Sequence, residues 1–167
     1  MHPADHAVRH PQKAAIVLAT SGEQISFAAL DAQSNASAWQ LRALGLTRGD
    51  VVATVFANAP EVFVFGWAAQ RSGLYQTAIS NKLSARDIAY ILRDCGAKLL
   101  VVSPAYAELA RAALAEAPDV PAYCWTGARD GLADWSAAVA ARPTTPIPDE
   151  SAGEIGRASC RERVESA

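Results

Sequence analysis

The sequence GDVVATVF, residues 49–56, decides the fold of this chain, because a tight turn leads directly into a continuous run of β-branched and apolar residues. Such runs are typical of a central strand in a parallel sheet, which is buried on both faces. Similar runs follow at residues 74–79 (LYQTAI) and 98–102 (KLLVV), with helical patterns between them. We therefore predict an α/β fold with a mostly parallel sheet and helices on both faces.

The alternation continues on both sides of this unit. Upstream, residues 14–19 and 25–27 predict a hairpin, and a helix follows that Ser26 precedes and Gly45 ends. Between the strands, Asn58 and Ser84 are placed to cap helices. Downstream the sequence predicts further elements: a helix over 105–117, a strand over 120–125 and a short helix over 132–141.

Composition limits the class of protein. The 167 residues suffice for one domain with a sizeable core, and 51% of them are hydrophobic. A formal net charge of −2, without a local run of Lys or Arg, predicts no nucleic-acid partner. The three widely spaced cysteines form no disulfide framework, the N-terminus has no secretory signal, and no apolar stretch reaches the length of a membrane span. These features predict a cytoplasmic protein with no transmembrane segment.

Few residues are candidates for a metal or catalytic site. His2, His6 and His10 follow one another at intervals of four and would share one face of a helix, which permits a metal site. We instead expect a flexible N-terminal tail interrupted by Pro3. Cys95 has no histidine near it in sequence, so we expect a buried small residue rather than a nucleophile.

Other motifs have structural explanations. Residues 20–22 (TSG) resemble part of a phosphate-binding loop but lack further glycines and a lysine, so we expect a hairpin turn. Asn58 and Glu61 are explained by a helix cap and a first-turn carboxylate. Four tryptophans are expected in the core or at interfaces: Trp39, Trp67, Trp125 and Trp135. The sequence thus predicts no catalytic, cofactor-binding or metal-binding residue in this chain.

Three segments in order resemble a known family. They are ISFAALDAQSNASAWQLRALGLTRGDVVA (25–53), NAPEVFVFGWAAQRSGLYQTAISNKL (58–83) and its continuation SARDIAYILRDCGAK (84–98). Together, from about residue 10 to residue 154, the chain resembles the opening of the adenylate-forming, AMP-binding ligases. The resemblance implies the N-terminal subdomain of that fold, in incomplete form.

Within the family, the phrase RSGLYQTAISNKLSARDIAYIL (71–92) is more similar to bacterial fatty-acyl and related carboxylate–CoA ligases. The resemblance implies a longer parent protein that uses ATP, Mg²⁺ and CoA to convert a carboxylic acid, expected to be fatty, to an acyl-adenylate and then to acyl-CoA. The loop rich in Gly, Ser and Thr that holds ATP phosphates in this family is absent from the 167 residues, so the chain itself is expected to be inactive and to hold no cofactor.

Two alternatives belong to different classes. A free-standing, non-catalytic α/β module that binds a nucleotide or a partner would need its own glycine-rich loop after a strand, and the sequence contains no G-x-G-x-x-G. An adenylation module of a peptide synthetase would normally show a Pro-Leu-Asp-Pro or Pro-Ile-Asp-Pro sequence where this chain has residues 77–81 (TAISN).

The expected organisation has four parts: an N-terminal lead-in (1–13), a partial α/β domain (14–142), a linker to the missing phosphate loop (143–154) and a tail (155–167). The linker begins PTTPIP and should run extended over a surface. The tail begins IGRASCRERV, which resembles a translated sequencing-library adapter. We expect this tail to be non-native, the alternative being a natural basic tail.

Overall fold

A computed structural model describes residues 3–151 of the chain. The helices and strands alternate along most of it. In chain order they are α1 (Pro3–Arg9), β1 (Ala14–Val17), β2 (Gln24–Ser26), α2 (Phe27–Ala43), β3 (Val51–Val55), α3 (Glu61–Arg71), β4 (Tyr75–Ala78), α4 (Ala85–Asp94), β5 (Ala97–Val102), a 3₁₀ turn (Pro104–Tyr106), α5 (Ala107–Leu114), β6 (Ala122–Cys124), β7 (Ala133–Asp134) and α6 (Trp135–Ala140).

The main sheet has five strands in the order β4-β3-β5-β6-β7, and every pairing in it is parallel. The predicted strand at GDVVATVF is β3, which lies between β4 and β5. Strands β1 and β2 form a separate antiparallel hairpin. The prediction of a mostly parallel α/β sheet is therefore confirmed.

Helices cover both faces of this sheet, as predicted. Successive residues of a strand point to opposite faces, so each strand contributes side chains to both layers. Along β5, Leu99 and Val101 pack with α2, α3 and α6, whereas Leu100 and Val102 pack with α4 and α5. All four side chains are essentially inaccessible to solvent. The two apolar layers on either side of a sheet buried on both faces form the core of the described residues.

The predicted helix boundaries follow local hydrogen bonds. Ser26 caps α2 by accepting a hydrogen bond from the Ala29 N–H at 3.2 Å. Ser84 forms a capping box with Asp87 at the start of α4, in which each side chain accepts from the other's backbone N–H. Gly45 follows α2 with φ 79°, a conformation that favours glycine. These three signals are confirmed.

The expectation of a flexible N-terminal tail is wrong for the part that the structure describes. Pro3 starts α1 rather than interrupting it, since the first helical residue needs no N–H for an intrahelical bond. The His6 ring stacks on Phe27 at a centroid distance of 4.7 Å. Helix α1 therefore packs against the start of α2. Met1 and His2 lie outside the described residues.

Two details of the predicted elements are corrected. Asn58 does not cap α3, because the helix begins only at Glu61 and Pro60 occupies the cap position without a side-chain hydrogen bond. The helix predicted over 132–141 is α6, shortened by the two-residue strand β7 before it. Asp134 ends that strand and caps α6 by accepting a hydrogen bond from Ala137 N–H.

The predicted linker is attached to the folded unit rather than free. We call residues 142–151 the strap. Its Thr144 and Thr145 carbonyls accept hydrogen bonds from Asn35 Nδ2 and Trp39 Nε1 of α2, at 2.9 and 2.8 Å. Ile147 is only 2% exposed and belongs to the core on the α2 side. The predicted non-native tail, 155–167, lies outside the described residues.

No helix within residues 3–151 is long and apolar enough to span a bilayer.

Candidate functional site

The topology places a crevice at the carboxyl edge of the sheet, between β3 and β5. The chain leaves β3 for α3 on one face and leaves β5 for α5 on the other, as the two core layers show. In open parallel sheets such a divergence of neighbouring strands is where ligands bind. The crevice is therefore the place at which to look for functional side chains.

Ser103 directly follows β5 at this edge of the sheet and is 2% exposed. Its hydroxyl donates to Glu61 Oε1 at 2.9 Å and accepts from the Ala57 N–H at 2.9 Å. Its own N–H donates to the Val55 carbonyl at 3.0 Å. Ser103 thus ties the loop after β3 to the first residue of α3.

The loop after β4 closes one side of the crevice. Asn81 Nδ2 donates to the Phe56 carbonyl at 3.1 Å, which joins this loop to the end of β3. The Phe56 ring meets Phe65 and Trp125 edge-on, at centroid distances of 5.9 and 5.7 Å. An aromatic layer consequently supports the α3 side of the crevice.

The polar groups of this crevice do not fit ATP or Mg²⁺. The Ser103 hydroxyl already bonds to Glu61 and to the Ala57 N–H, and phosphate recognition needs several free N–H donors or a cation directed at one point. Across residues 3–151 there is no cluster of three His, Cys, Asp or Glu side chains suited to a metal ion. We derive no chemical step from these residues.

The residues that the sequence offered as candidate site residues lie in separate parts of the fold. Residues 20–22 form part of the turn between β1 and β2, with Gly22 at φ 73°. The prediction of a hairpin turn is therefore confirmed. Cys95 ends α4 and is partly buried against the core of α4 and α5. His6 packs on Phe27, and His10 follows the end of α1.

The tryptophan prediction is confirmed most clearly at Trp135, which is completely buried. Its ring meets Phe65 and Tyr123 edge-on, each at a centroid distance of 5.4 Å. Trp39 and Trp125 are partly buried against the same core, and Trp67 is half-buried on α3.

Sequence reasoning missed the buried charge at the end of α3. Arg71 is 0% exposed, and its guanidinium contacts Asp31, Asn35 and Glu150. Asp31 and Asn35 are four residues apart on α2 and so share one helix face. The spacing of these two polar residues on one face of α2 was the available signal.

The chain is similar in sequence to known proteins over most of its length. The model of the AMP-binding enzyme family matches residues 4–154. The chain is 31% identical over 147 residues to the long-chain-fatty-acid–CoA ligase FadD13 of Mycobacterium tuberculosis. This match covers 87% of the chain and 28% of that protein. It is 29% identical over 134 residues to a 3-hydroxybenzoate–CoA ligase of Aromatoleum, covering 78% of the chain and 25% of that protein. The chain thus spans about a quarter of the length of these curated relatives.

Solved structures agree in fold. The N-terminal domain of FACL13 from Mycobacterium tuberculosis superposes with a TM-score of 0.76 at 23% identity, over 87% of this chain and 36% of that one. An anthranilate CoA ligase, AuaEII, superposes with a TM-score of 0.74 at 21% identity, over 87% of this chain and 29% of that one. The fold of this chain is therefore that of the N-terminal domain of these solved structures. The family match over residues 4–154 shows that the chain belongs to the AMP-binding enzyme family.

Proposed function

We propose that this chain is the N-terminal part of an ATP-dependent acyl-CoA synthetase. The complete protein would convert a carboxylic acid and ATP to an acyl-adenylate with release of pyrophosphate. It would then transfer the acyl group to the CoA thiol with release of AMP. The observation that carries this proposal is the 31% identity to a long-chain-fatty-acid–CoA ligase across 87% of the chain, in register with the family match over 4–154.

Within that reaction, the described residues would act as scaffold. The Ser103 hydroxyl at the β3–β5 crevice is engaged by Glu61 and by the Ala57 N–H, and β3 is held between β4 and β5 by parallel pairing. ATP, Mg²⁺ and CoA would be bound by residues of the parent other than these. A cytoplasmic location suits such a reaction, since ATP and CoA are supplied there.

The proposed substrate is a fatty acid, because the relative that matches over most of the chain is named for one. An aromatic carboxylate is the second candidate. It is favoured by the likeness to a 3-hydroxybenzoate–CoA ligase over 78% of the chain. Both candidates share a carboxylate that attacks the α-phosphate of ATP, so they differ in the acyl pocket alone.

The experiment starts from the genomic DNA beyond the Glu154 codon, from which the complete gene is expressed. Exchange of pyrophosphate into ATP is then measured with octanoate, palmitate, benzoate, 3-hydroxybenzoate and a panel of amino acids. We expect exchange with a fatty acid, followed by acyl-CoA formation when CoA is added. Exchange with amino acids alone would favour a peptide-synthetase module. Exchange with no acid would favour the non-catalytic α/β module.

A further inference from the structure

Strand β4 is an open edge of the main sheet, since within residues 3–151 it pairs only with β3. The N–H groups of Tyr75 and Ile79 donate to carbonyls in and next to β3, at 2.9 and 2.8 Å. Backbone groups alternate in direction along a strand, so the N–H and C=O groups of Gln76 and Ala78 point away from β3. These two residues therefore present donors and acceptors to which a further strand can bind.

An apolar part of α3 adjoins this edge. Gly66 lies over β4, because a Cβ at this glycine would be 3.4 Å from Oε1 of Gln76. Phe63 is three residues earlier on the same face of α3 and is 51% exposed. Ala78 shares the side of the sheet on which Gln76 lies and is also exposed. A strand added beside β4 would remove this apolar surface from water.

Two arginines hold the end of the strap. Asp149 accepts a hydrogen bond from Arg42 Nε at 3.1 Å, and its Oδ2 lies 2.8 Å from Nη2 of the same guanidinium. The next residue, Glu150, lies 3.3 Å from Nη1 of Arg71. We call these two ion pairs the clasp. The clasp joins the strap to α2 and to the end of α3, so the position of the strap's last residues is fixed by the fold.

The clasp places the chain beside the amino end of β4. Ser151 donates its N–H to the Arg71 carbonyl at 2.8 Å, and together with Tyr75 it lines a small pocket of about 90 Å³. Tyr75 is the first residue of β4. A segment that starts there can pair along β4 only by running in the same direction, which is parallel, as are the other pairings of this sheet.

From these observations we propose that, in the complete protein, the segment directly after the strap pairs in parallel with β4 as a sixth strand of the main sheet. Phe63 covers this strand on the α3 side, and the clasp fixes where it starts. The inference rests on the proposed function only in that the chain is part of a longer protein, as the 28% coverage of FadD13 supports. It requires no particular substrate, so a complete protein without ligase activity would still show the pairing.

The first test compares hydrogen exchange of backbone amides in the complete protein, expressed from the genomic DNA, and in the monomeric 167-residue chain. We expect the Gln76 and Ala78 amides to exchange at least about tenfold more slowly in the complete protein. The Thr77 amide points towards β3 and should be protected in both proteins. Equal exchange rates at Gln76 and Ala78 in the two proteins overturn the proposal.

A proline substitution tests the same backbone groups. Ala78→Pro removes an N–H that faces outward, which an edge strand tolerates and a central strand does not. The melting temperature of the complete protein should therefore fall by about 2–4 °C more than that of the 167-residue chain. Thr77→Pro removes an N–H directed at β3 and should destabilise both proteins. A loss from Ala78→Pro that is equal in the two proteins, or larger in the 167-residue chain, overturns the proposal.

Cross-linking identifies which segment lies at β4. In the complete protein, Ala78→Cys is combined with single cysteines over the first ~10 residues after Glu154, a typical strand length. A short thiol cross-linker is added, and mass spectrometry identifies the joined peptides. We expect cross-links at alternate positions, because successive strand residues point to opposite faces. Cross-links only to later segments, or only to a second copy, overturn the proposal.

The clasp is tested through its exposed carboxylate. Asp149→Asn in the complete protein should speed exchange at Gln76 and Ala78 about two- to fivefold, because the ion pair with Arg42 is partly solvent-exposed and of modest strength. Asp94→Asn removes an exposed carboxylate of α4, on the other face of the sheet, and should leave these rates unchanged. An Asp149→Asn variant with wild-type exchange rates overturns the role of the clasp.

Discussion

The guanidinium of Arg71 is completely buried, and its Nη2 lies 2.9 Å from Oδ1 of Asp31. Asn35 accepts from Nη1 of the same group, and the Glu150 carboxylate lies 3.3 Å from it. The backbone carbonyl of Arg71 also accepts from the Ser151 N–H at 2.8 Å. One residue at the end of α3 therefore binds both α2 and the end of the strap.

Replacing Arg71→Met should destabilise the chain by about 3 kcal/mol, because it leaves buried or half-buried acceptors without their donor. The two carboxylates retain some solvent contact, which moderates the loss. Arg71→Lys should cost less, since it keeps the charge but loses the planar fork. Urea denaturation measures both changes. Arg86→Met, at an exposed position of α4, is the control and should remain within about 0.5 kcal/mol of wild type. An Arg71→Met variant as stable as wild type would mean that the network contributes nothing to the free energy of unfolding.

A pair of substitutions tests the two helix starts. Ser84→Ala removes the capping box of α4 and should cost about 1 kcal/mol, because the Asp87 N–H loses its acceptor at 3.2 Å. Asn58→Ala should change the free energy of unfolding by less than about 0.5 kcal/mol, since Asn58 provides no cap for α3. Thermal melts of the two variants give the comparison. Equal destabilisation would contradict this assignment of the caps.

The Asp50–Lys98 pair should make the stability of the chain depend on pH in the acid range. The hydrogen bond from Lys98, followed by that from the Thr47 backbone N–H, lowers the pKa of Asp50 below its ordinary value of 3.8. A lowered pKa in the folded state means that the stabilisation is complete above the unfolded value and is lost as pH falls through the folded one. Wild type should therefore be more stable than Asp50→Asn near pH 6, and the difference should vanish towards pH 2. Urea midpoints at pH 6, 4 and 2 measure this, and a constant difference would contradict it.

Local signals in the sequence were sufficient for the elements whose ends are fixed by nearby residues. A continuous β-branched run such as β3 is typical of a strand buried on both faces of a parallel sheet, and Ser26 and Ser84 form hydrogen bonds within three residues of themselves. Such interactions depend on sequence neighbours, so they are readable before the fold is known.

The remaining features depend on contacts between distant parts of the chain. Asn58 has a good cap residue type, but α3 begins too late for its side chain to reach. The strap consists of polar and proline residues typical of a linker, yet Asn35 and Trp39, more than a hundred residues away, bind its carbonyls. The charge network of Arg71 likewise joins three separate segments. No local pattern fixes these contacts.

The edge strand β4 should promote self-association. Its four residues, YQTA, contain neither a charge nor a proline, and within residues 3–151 β4 pairs only with β3. Tyr75 on this strand is 40% exposed. An uncharged open edge pairs readily with another chain, so association should increase with concentration and an apolar dye should bind.

Tyr75→Lys places a charge on that edge and should shift the chain towards monomer in sedimentation velocity. Tyr90→Lys is the matched control, because Tyr90 is 60% exposed on helix α4 and not on a strand edge. A wild-type chain that stays monomeric at all concentrations, melts sharply and binds no dye would contradict the expectation of an exposed edge.

The 167-residue chain should show no carboxylate-dependent exchange of pyrophosphate into ATP. Stabilising the charge that develops on the transferred phosphorus and the departing pyrophosphate is the main task of a catalyst for this reaction, and it requires several fixed donors or cations. The sequence has no Gly/Ser/Thr-rich loop with a lysine, and the Ser103 hydroxyl at the crevice is already engaged by Glu61 and Ala57. Losing every such donor removes most of the rate enhancement, so we expect neither partial activity nor saturable ATP binding in the micromolar range. The assay uses octanoate, palmitate and 3-hydroxybenzoate, with the long-chain-fatty-acid–CoA ligase FadD13 as positive control. Exchange that follows the chain through purification and disappears in Ser103→Ala would instead place the catalytic centre in the β3–β5 crevice.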